Sequence, residues 1–172
     1  VTLFGGTSGL ADTWSWNGVQ WTEHDHPSGP SWMNKPSVAY DIARERIVVY
    51  PDTVRFCETT WEWDGVDWKR VQTVGPMCGL GHAMVYDAAR QKTLLFGGRD
   101  VALEQETNET WEWDGFSWQQ LSPASRPARR SHHALAFDSV RDRAVLFGGG
   151  PGAKQDTWEW DGASWTKRIL AT

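Results

Sequence analysis

The chain has 172 residues, with 17 Lys and Arg against 22 Asp and Glu, giving a formal charge of −5. That balance argues against broad nucleic-acid or anionic-membrane binding, and no apolar stretch approaches the ~20 residues of a membrane-spanning helix. Two cysteines, Cys57 and Cys78, are too few for a disulfide scaffold; pairing and free thiols both remain open from the sequence.

In chain order, Val1-Thr-Leu-Phe-Gly-Gly6 reads as a short apolar strand ending in a glycine pair. The same pattern returns at 93–98 and 144–149, and a variant, Ile47-Val-Val-Tyr-Pro-Asp52, puts Pro-Asp in place of Gly-Gly. Next comes Thr13-Trp-Ser-Trp-Asn-Gly-Val-Gln-Trp21, with close copies at 60–68, 110–118 and 157–165. Each copy predicts a tight hairpin, with Asn-Gly or Asp-Gly at a turn that requires positive φ. The first two Trp of a copy are two residues apart and so share one face of a strand. Of the 13 Trp, only Trp32 lies outside these hairpins. A buried Trp contributes roughly 150–250 Å² of contact, or ~4–6 kcal/mol before entropy is charged against it. Such anchors can build a core without long aliphatic runs.

A third element precedes three of the apolar strands: Ser37-Val-Ala-Tyr-Asp41, Ala83-Met-Val-Tyr-Asp87 and Ala134-Leu-Ala-Phe-Asp138, each followed by Arg three residues after the Asp. This spacing predicts a compact polar turn. A full unit is then four antiparallel strands, a to d: the aromatic-Asp strand, the apolar strand, the Trp-x-Trp strand, and the strand opened by the third Trp. The first Trp of each hairpin falls at 14, 61, 111 and 158, spacings of 47, 50 and 47. Four-stranded units at that period are the pattern of a β-propeller.

The Gly-Gly after strand b, the aromatic in strand c and the Trp opening strand d resemble kelch repeats. The form with Tyr-Asp-x-x-Arg and Trp-Glu-Trp-Asp-Gly-x-x-Trp is similar to kelch-like repeats of large bacterial proteins. The resemblance covers nearly the whole chain. It implies an all-β propeller of four-stranded blades, four in this chain, with the first lacking its innermost strand a. The expected boundaries are about 1–27, 28–74, 75–124 and 125–172 within one propeller segment. Further blades are expected from a longer chain or a second copy, and strand b at Val1–Phe4 is expected to expose an unpaired inner edge.

Antiparallel order places the b–c and d–a loops at one end of every unit and the a–b and c–d loops at the other. The latter are short and nearly identical between copies; the former vary. Function on repeat folds collects where loops vary. The candidate ligand-binding residues are therefore Trp32, Arg55, His82, Arg130 and His133. The resemblance implies an Arg-x-x-His pattern ahead of strand a, kept as Arg130 and His133; the preceding unit keeps His82 with Gly79 for the Arg. His24, His26, Cys57 and Cys78 are candidate metal ligands by residue type, without the spacing of a tight ligand motif. There is no phosphate loop, His-Glu-x-x-His or Gly-x-Ser-x-Gly, and no cofactor is expected. Kelch propellers also resemble a copper oxidase of the same fold, whose Tyr, Cys and His ligands find no residue-by-residue match here. The first expectation is a non-catalytic binding or scaffolding propeller with a protein or glycan partner, in an extracellular or cell-envelope setting. An enzyme or metal protein with a site at the channel mouth is the second, and a structural self-assembling fragment the third.

Overall fold

The computed structural model describes residues 1–5, 12–25, 29–30, 35–52, 59–72, 74–76 and 79–169. Among them every regular element is a strand, and the strands form five antiparallel sheets of three or four strands. The first sheet comprises β1 (Thr2–Phe4), β2 (Thr13–Trp16) and β3 (Trp21–His24). The second is β4 (Ser37–Asp41), β5 (Arg46–Tyr50), β6 (Thr59–Trp63) and β7 (Trp68–Gln72). The third is β9 (Ala83–Asp87), β10 (Lys92–Phe96), β13 (Thr110–Trp113) and β14 (Trp118–Leu121). The fourth is β15 (Ala134–Asp138), β16 (Arg143–Phe147), β17 (Thr157–Trp160) and β18 (Trp165–Arg168). Each of these four sheets is a simple meander, strands following one another in chain order. The fifth sheet is small and joins β8 (Gly79–Leu80), β11 (Arg99–Asp100) and β12 (Gln105–Glu106).

Registers repeat between units. Leu95 lies opposite Trp111 and Met84, and Leu146 opposite Trp158 and Leu135. In the first sheet Leu3 lies opposite Trp14, and among the described residues β1 is an edge strand paired with β2 alone. The inner strands adjoin across sheets, β9 packing between β4 and β15. Among the described residues no contact of comparable extent joins the first sheet to the fourth.

The core lies between sheets and not within any one of them. Phe4 packs with Val49, Trp63 and Trp68 of the second sheet. Ala39, Val48 and Tyr50 meet Met84, Tyr86, Leu95 and the three Trp of the third. Leu94 and Phe96 meet Leu146, Trp160 and Trp165 of the fourth. A single amphipathic sheet cannot cover both its faces, so each unit's apolar side chains are buried by the next.

Both short turns are built from carboxylates. In the a–b turn Asp41 Oδ1 accepts from the Ala43 and Arg44 amides, and Arg44 Nε returns to Asp41 Oδ2 at 2.7 Å. Asp87 with Arg90 and Asp138 with Arg141 repeat the arrangement. This is the predicted polar turn. It includes a feature absent from the prediction, a left-handed non-glycine residue just before strand b: Glu45, Gln91 and Asp142, with φ of 53°, 55° and 53°.

The c–d hairpins differ from expectation. The pairs Trp16–Trp21, Trp63–Trp68, Trp113–Trp118 and Trp160–Trp165 close four-residue loops, so the turn is longer than the two-residue form. Only the glycines take positive φ, from 94° to 102° at Gly18, Gly65, Gly115 and Gly162. Asn17 and its Asp counterparts remain at ordinary φ and act through the side chain. Asn17 Oδ1 accepts from the amides of Val19 and Gln20, and Asp64, Asp114 and Asp161 do the same. A side-chain acceptor that caps two amides removes the need for a second left-handed residue.

Candidate binding surface

The end that carries the b–c and d–a loops is held by a hydrogen-bond relay running across units. Asp52 follows β5 where the other units have glycine, and both its carboxylate oxygens lie within 3.1–3.3 Å of the Gly81 amide. The Gly81 carbonyl accepts from the His132 amide at 2.7 Å. One carboxylate, one glycine and one histidine thus step from the second unit to the third and on to the fourth. His132 is exposed and sits at φ 55°, a region few non-glycine residues occupy.

The glycine pairs have a packing reason as well as a turn reason. A Cβ added to Gly97 would stand 2.6 Å from the Arg130 carbonyl oxygen and 3.1 Å from the His133 ring. At Gly98 it would meet His82, and at Gly149 the Ser131 carbonyl and His133. Their positive φ turns the chain out of strand b; the bare Cα of Gly97 lets the next unit approach, while those of Gly98 and Gly149 make room for the segment that enters strand a of their own unit. Across that approach Gly98 donates to Arg130 and Arg130 donates to Thr107.

Three of the five predicted ligand-binding residues fall on this framework. Arg130 is fully buried. Its guanidinium forms a two-pronged ion pair with Asp156 at 2.8 and 3.0 Å, and it also donates to the carbonyls of Gly148 and Ala128. This pairing holds the Asp156 carboxyl well below the usual carboxylate range. His82 is buried; its Nε2 lies 3.1 Å from the Pro51 carbonyl oxygen, which it meets as a donor. The Ser37 hydroxyl sits 2.7 Å from His82 Nδ1 and 2.8 Å from its carbonyl oxygen, sharing one proton between two acceptors. The His82 ring packs edge-on against Tyr50, and His133 does the same against Phe96. Burial lowers the pKa of both histidines to about 4; the nearby Arg130 charge adds to the effect at His133. The resemblance's Arg-x-x-His pattern is therefore turned inward here, tying sheet to loop.

Trp32 and Arg55 lie outside the described residues, as do His26, Cys57 and Cys78. His24 is placed at the end of β3, its Nε2 2.8 Å from Ser15 Oγ and its ring edge-on to Trp63. Among the described residues no three His, Cys, Asp or Glu side chains gather in a way that could hold a metal ion.

What remains outward-facing is a polar rim: Asp52 half-buried, His132 and Lys35 exposed. Burial raises the Asp52 pKa, while the Gly81 amide and the charges of His132 and Lys35 oppose that rise. Beside it, a cleft bounded by His82, Gly97, Gly98 and Thr107 holds about 10 Å³, the space of one water. A larger cavity of about 710 Å³ opens between β1 and β4, lined by apolar side chains including Leu3, Val38, Tyr40 and Trp68. It is separate from the rim.

Sequence reading did not single out Asp52 or His132 as ligand-binding residues. The signal for Asp52 was present, because Pro51-Asp52 is the one departure from Gly-Gly, but its partner amide is in another unit. The small sheet of β8, β11 and β12 was likewise missed, since its two-residue strands carry no alternation. The chain matches no protein-family model and no curated protein sequence.

Proposed function

We infer that this chain is a segment of a kelch-type β-propeller that serves as a non-catalytic binding or scaffolding platform, with a protein or glycan held at the b–c and d–a loop end. The observation that carries the reading is the contrast between the two ends. At the a–b and c–d end the same self-satisfied Asx turns recur from unit to unit, leaving little chemical variety for recognition. At the other end the loops form unit-specific structure: the β11–β12 hairpin, the Ser131–Gly150 bridge and the Asp52–Gly81–His132 relay. A carboxylate with a neighbouring imidazole and ammonium offers both acceptors and donors to hydroxyl groups or peptide amides.

The test is a screen of the purified chain on an oligosaccharide array and a peptide array, repeated for Asp52→Ala and His132→Ala. Binding weakened tenfold or more in both variants, and unchanged in Asp64→Ala at the opposite end, is expected. A ligand indifferent to Asp52 and His132 but lost with Asp64→Ala would reverse the assignment.

A further inference from the structure

The junctions between neighbouring sheets share one contact pattern. Trp68, Trp118 and Trp165 each open the last strand of a sheet. Their Nε1 atoms donate to Thr13, Thr60 and Thr110 of the preceding sheet at 2.8, 2.7 and 3.1 Å. The same three rings pack on Phe4, Tyr50 and Phe96 of that preceding sheet, with centroids 5.0, 5.4 and 5.1 Å apart. At the turn end, Arg44 lies over Gly115 of the next sheet and Arg90 over Gly162. Gly65 has no such neighbour; the sheet before it has three strands and so no a–b turn to supply an Arg.

Each half of this pattern recurs once more without a counterpart among the described residues. The first sheet presents Trp21, 47% exposed, and Gly18, whose Cβ direction is empty to 4 Å. The fourth presents Phe147, 52% exposed, together with Thr157 and Arg141, the equivalents of Thr110 and Arg90. One face carries the Trp and glycine half; the other carries the aromatic, Thr and Arg half.

We propose that these faces bind each other between two copies of this chain. The fourth sheet of one copy docks on the first sheet of another, as the third sheet docks on the fourth within a copy. Trp21 Nε1 of one copy donates to Thr157 Oγ1 of the other, the Trp21 ring covers Phe147, and Arg141 lies over the Gly18 turn. The occupant follows from continuity with an interface made three times inside the chain, whose geometry each copy already carries on both surfaces. The contact joins different patches, so it is head-to-tail: two copies close a ring if the rotation permits, and the array grows if it does not. The inference rests on the repeated contacts alone and is independent of any ligand at the Asp52 end.

Sedimentation velocity over a concentration series reads the association, and cross-linking reads its polarity. In a Cys57→Ser, Cys78→Ser background, Val19→Cys and Val140→Cys place single thiols beside the Gly18 turn and beside Arg141, at positions that are 84% and 91% exposed. The expected result is a bis-maleimide-linked dimer when the two variants are mixed, with neither variant linking to itself. Phe147→Ala and Thr157→Val are expected to weaken association at least tenfold while leaving the monomer's circular dichroism unchanged, because Phe147 is already exposed. A species that stays monomeric at every concentration overturns the proposal. So do self-linked products of either single variant, or association indifferent to Phe147→Ala. None of these results bears on binding at Asp52 and His132, which the array screen measures separately.

Discussion

Between the second and third sheets Trp118 is 7% exposed, Tyr50 is 2% exposed, and the two rings meet edge to face. At the free faces the equivalent residues, Trp21 and Phe147, are 47% and 52% exposed. The same contrast separates Tyr86 at 8% from Tyr40 at 53%, two residues at matching positions of matching strands. Motif and register are shared, so local sequence does not set the burial. It is set by what covers the side chain: among the described residues Trp21 and Phe147 face no neighbouring sheet, and Tyr40 faces the cavity left beside β1, where the first sheet supplies no fourth strand. Stability in such an array is a sum of interfaces more than a sum of units.

The largest effect that would sharpen this comparison is at Trp113. It is 1% exposed, lies in the central cluster and donates to Glu62 across the junction at 3.0 Å. Trp113→Ala empties a large aromatic site and strips a buried carboxylate of one donor; about 3–5 kcal/mol of destabilisation is expected. Trp16, the matching residue of the first sheet, is only half-buried, and Trp16→Ala is expected to cost less than half as much. Urea titration of both variants checks the difference; equal losses would mean that burial by the neighbour is not what these residues contribute.

The next effect concerns pH. His82 and His133 are each buried at a junction with pKa lowered to about 4 from an ordinary 6.5. The folded protein therefore binds fewer protons than the unfolded chain between those values. The stability these neutral imidazoles confer is complete above about pH 6.5, falls as pH drops through the window, and is exhausted near pH 4. Each contributes on the order of 3 kcal/mol at full extent. Thermal melts at pH 7 and pH 5 should show a drop that His82→Gln reduces, since Gln carries no titrating proton. A wild-type protein equally stable at both values would contradict the neutral, buried assignment.

How much of this was legible beforehand depends on where the partner of a residue sits. The strand order, the Trp-rich core and the Asp-x-x-Arg turn could be read from sequence because their determinants lie within one unit and recur. The inward role of Arg130 could not, because Asp156 is 26 residues further on and the pairing requires the chain to have turned back on itself. The Asx-capped loops were misjudged for a different reason: Asp-Gly fits both a two-residue turn and a four-residue loop closed by its carboxylate. Nor does sequence reveal that Trp21 and Trp118 differ, because both open the same strand of the same motif.

The smallest expected effect breaks the comparison most cleanly. Thr60 is fully buried and its hydroxyl accepts from Trp118 Nε1 at 2.7 Å. Thr60→Val keeps the shape and β-branching of the side chain but leaves the indole N–H without its acceptor in a buried place, at a cost of about 1–3 kcal/mol. Thr157 occupies the same register position opposite β18 that Thr60 and Thr110 occupy opposite β7 and β14, yet among the described residues no Trp donates to it. Thr157→Val, measured at a concentration where the protein is monomeric, is therefore expected to be neutral within about 0.5 kcal/mol. Raising the concentration should make the two variants converge if copies associate, since Thr157 would then acquire the indole that Thr60 already has. A Thr157→Val variant as destabilised as Thr60→Val in the dilute monomer would show that the hydroxyl serves its own sheet, and the distinction between covered and uncovered faces would lose its energetic basis.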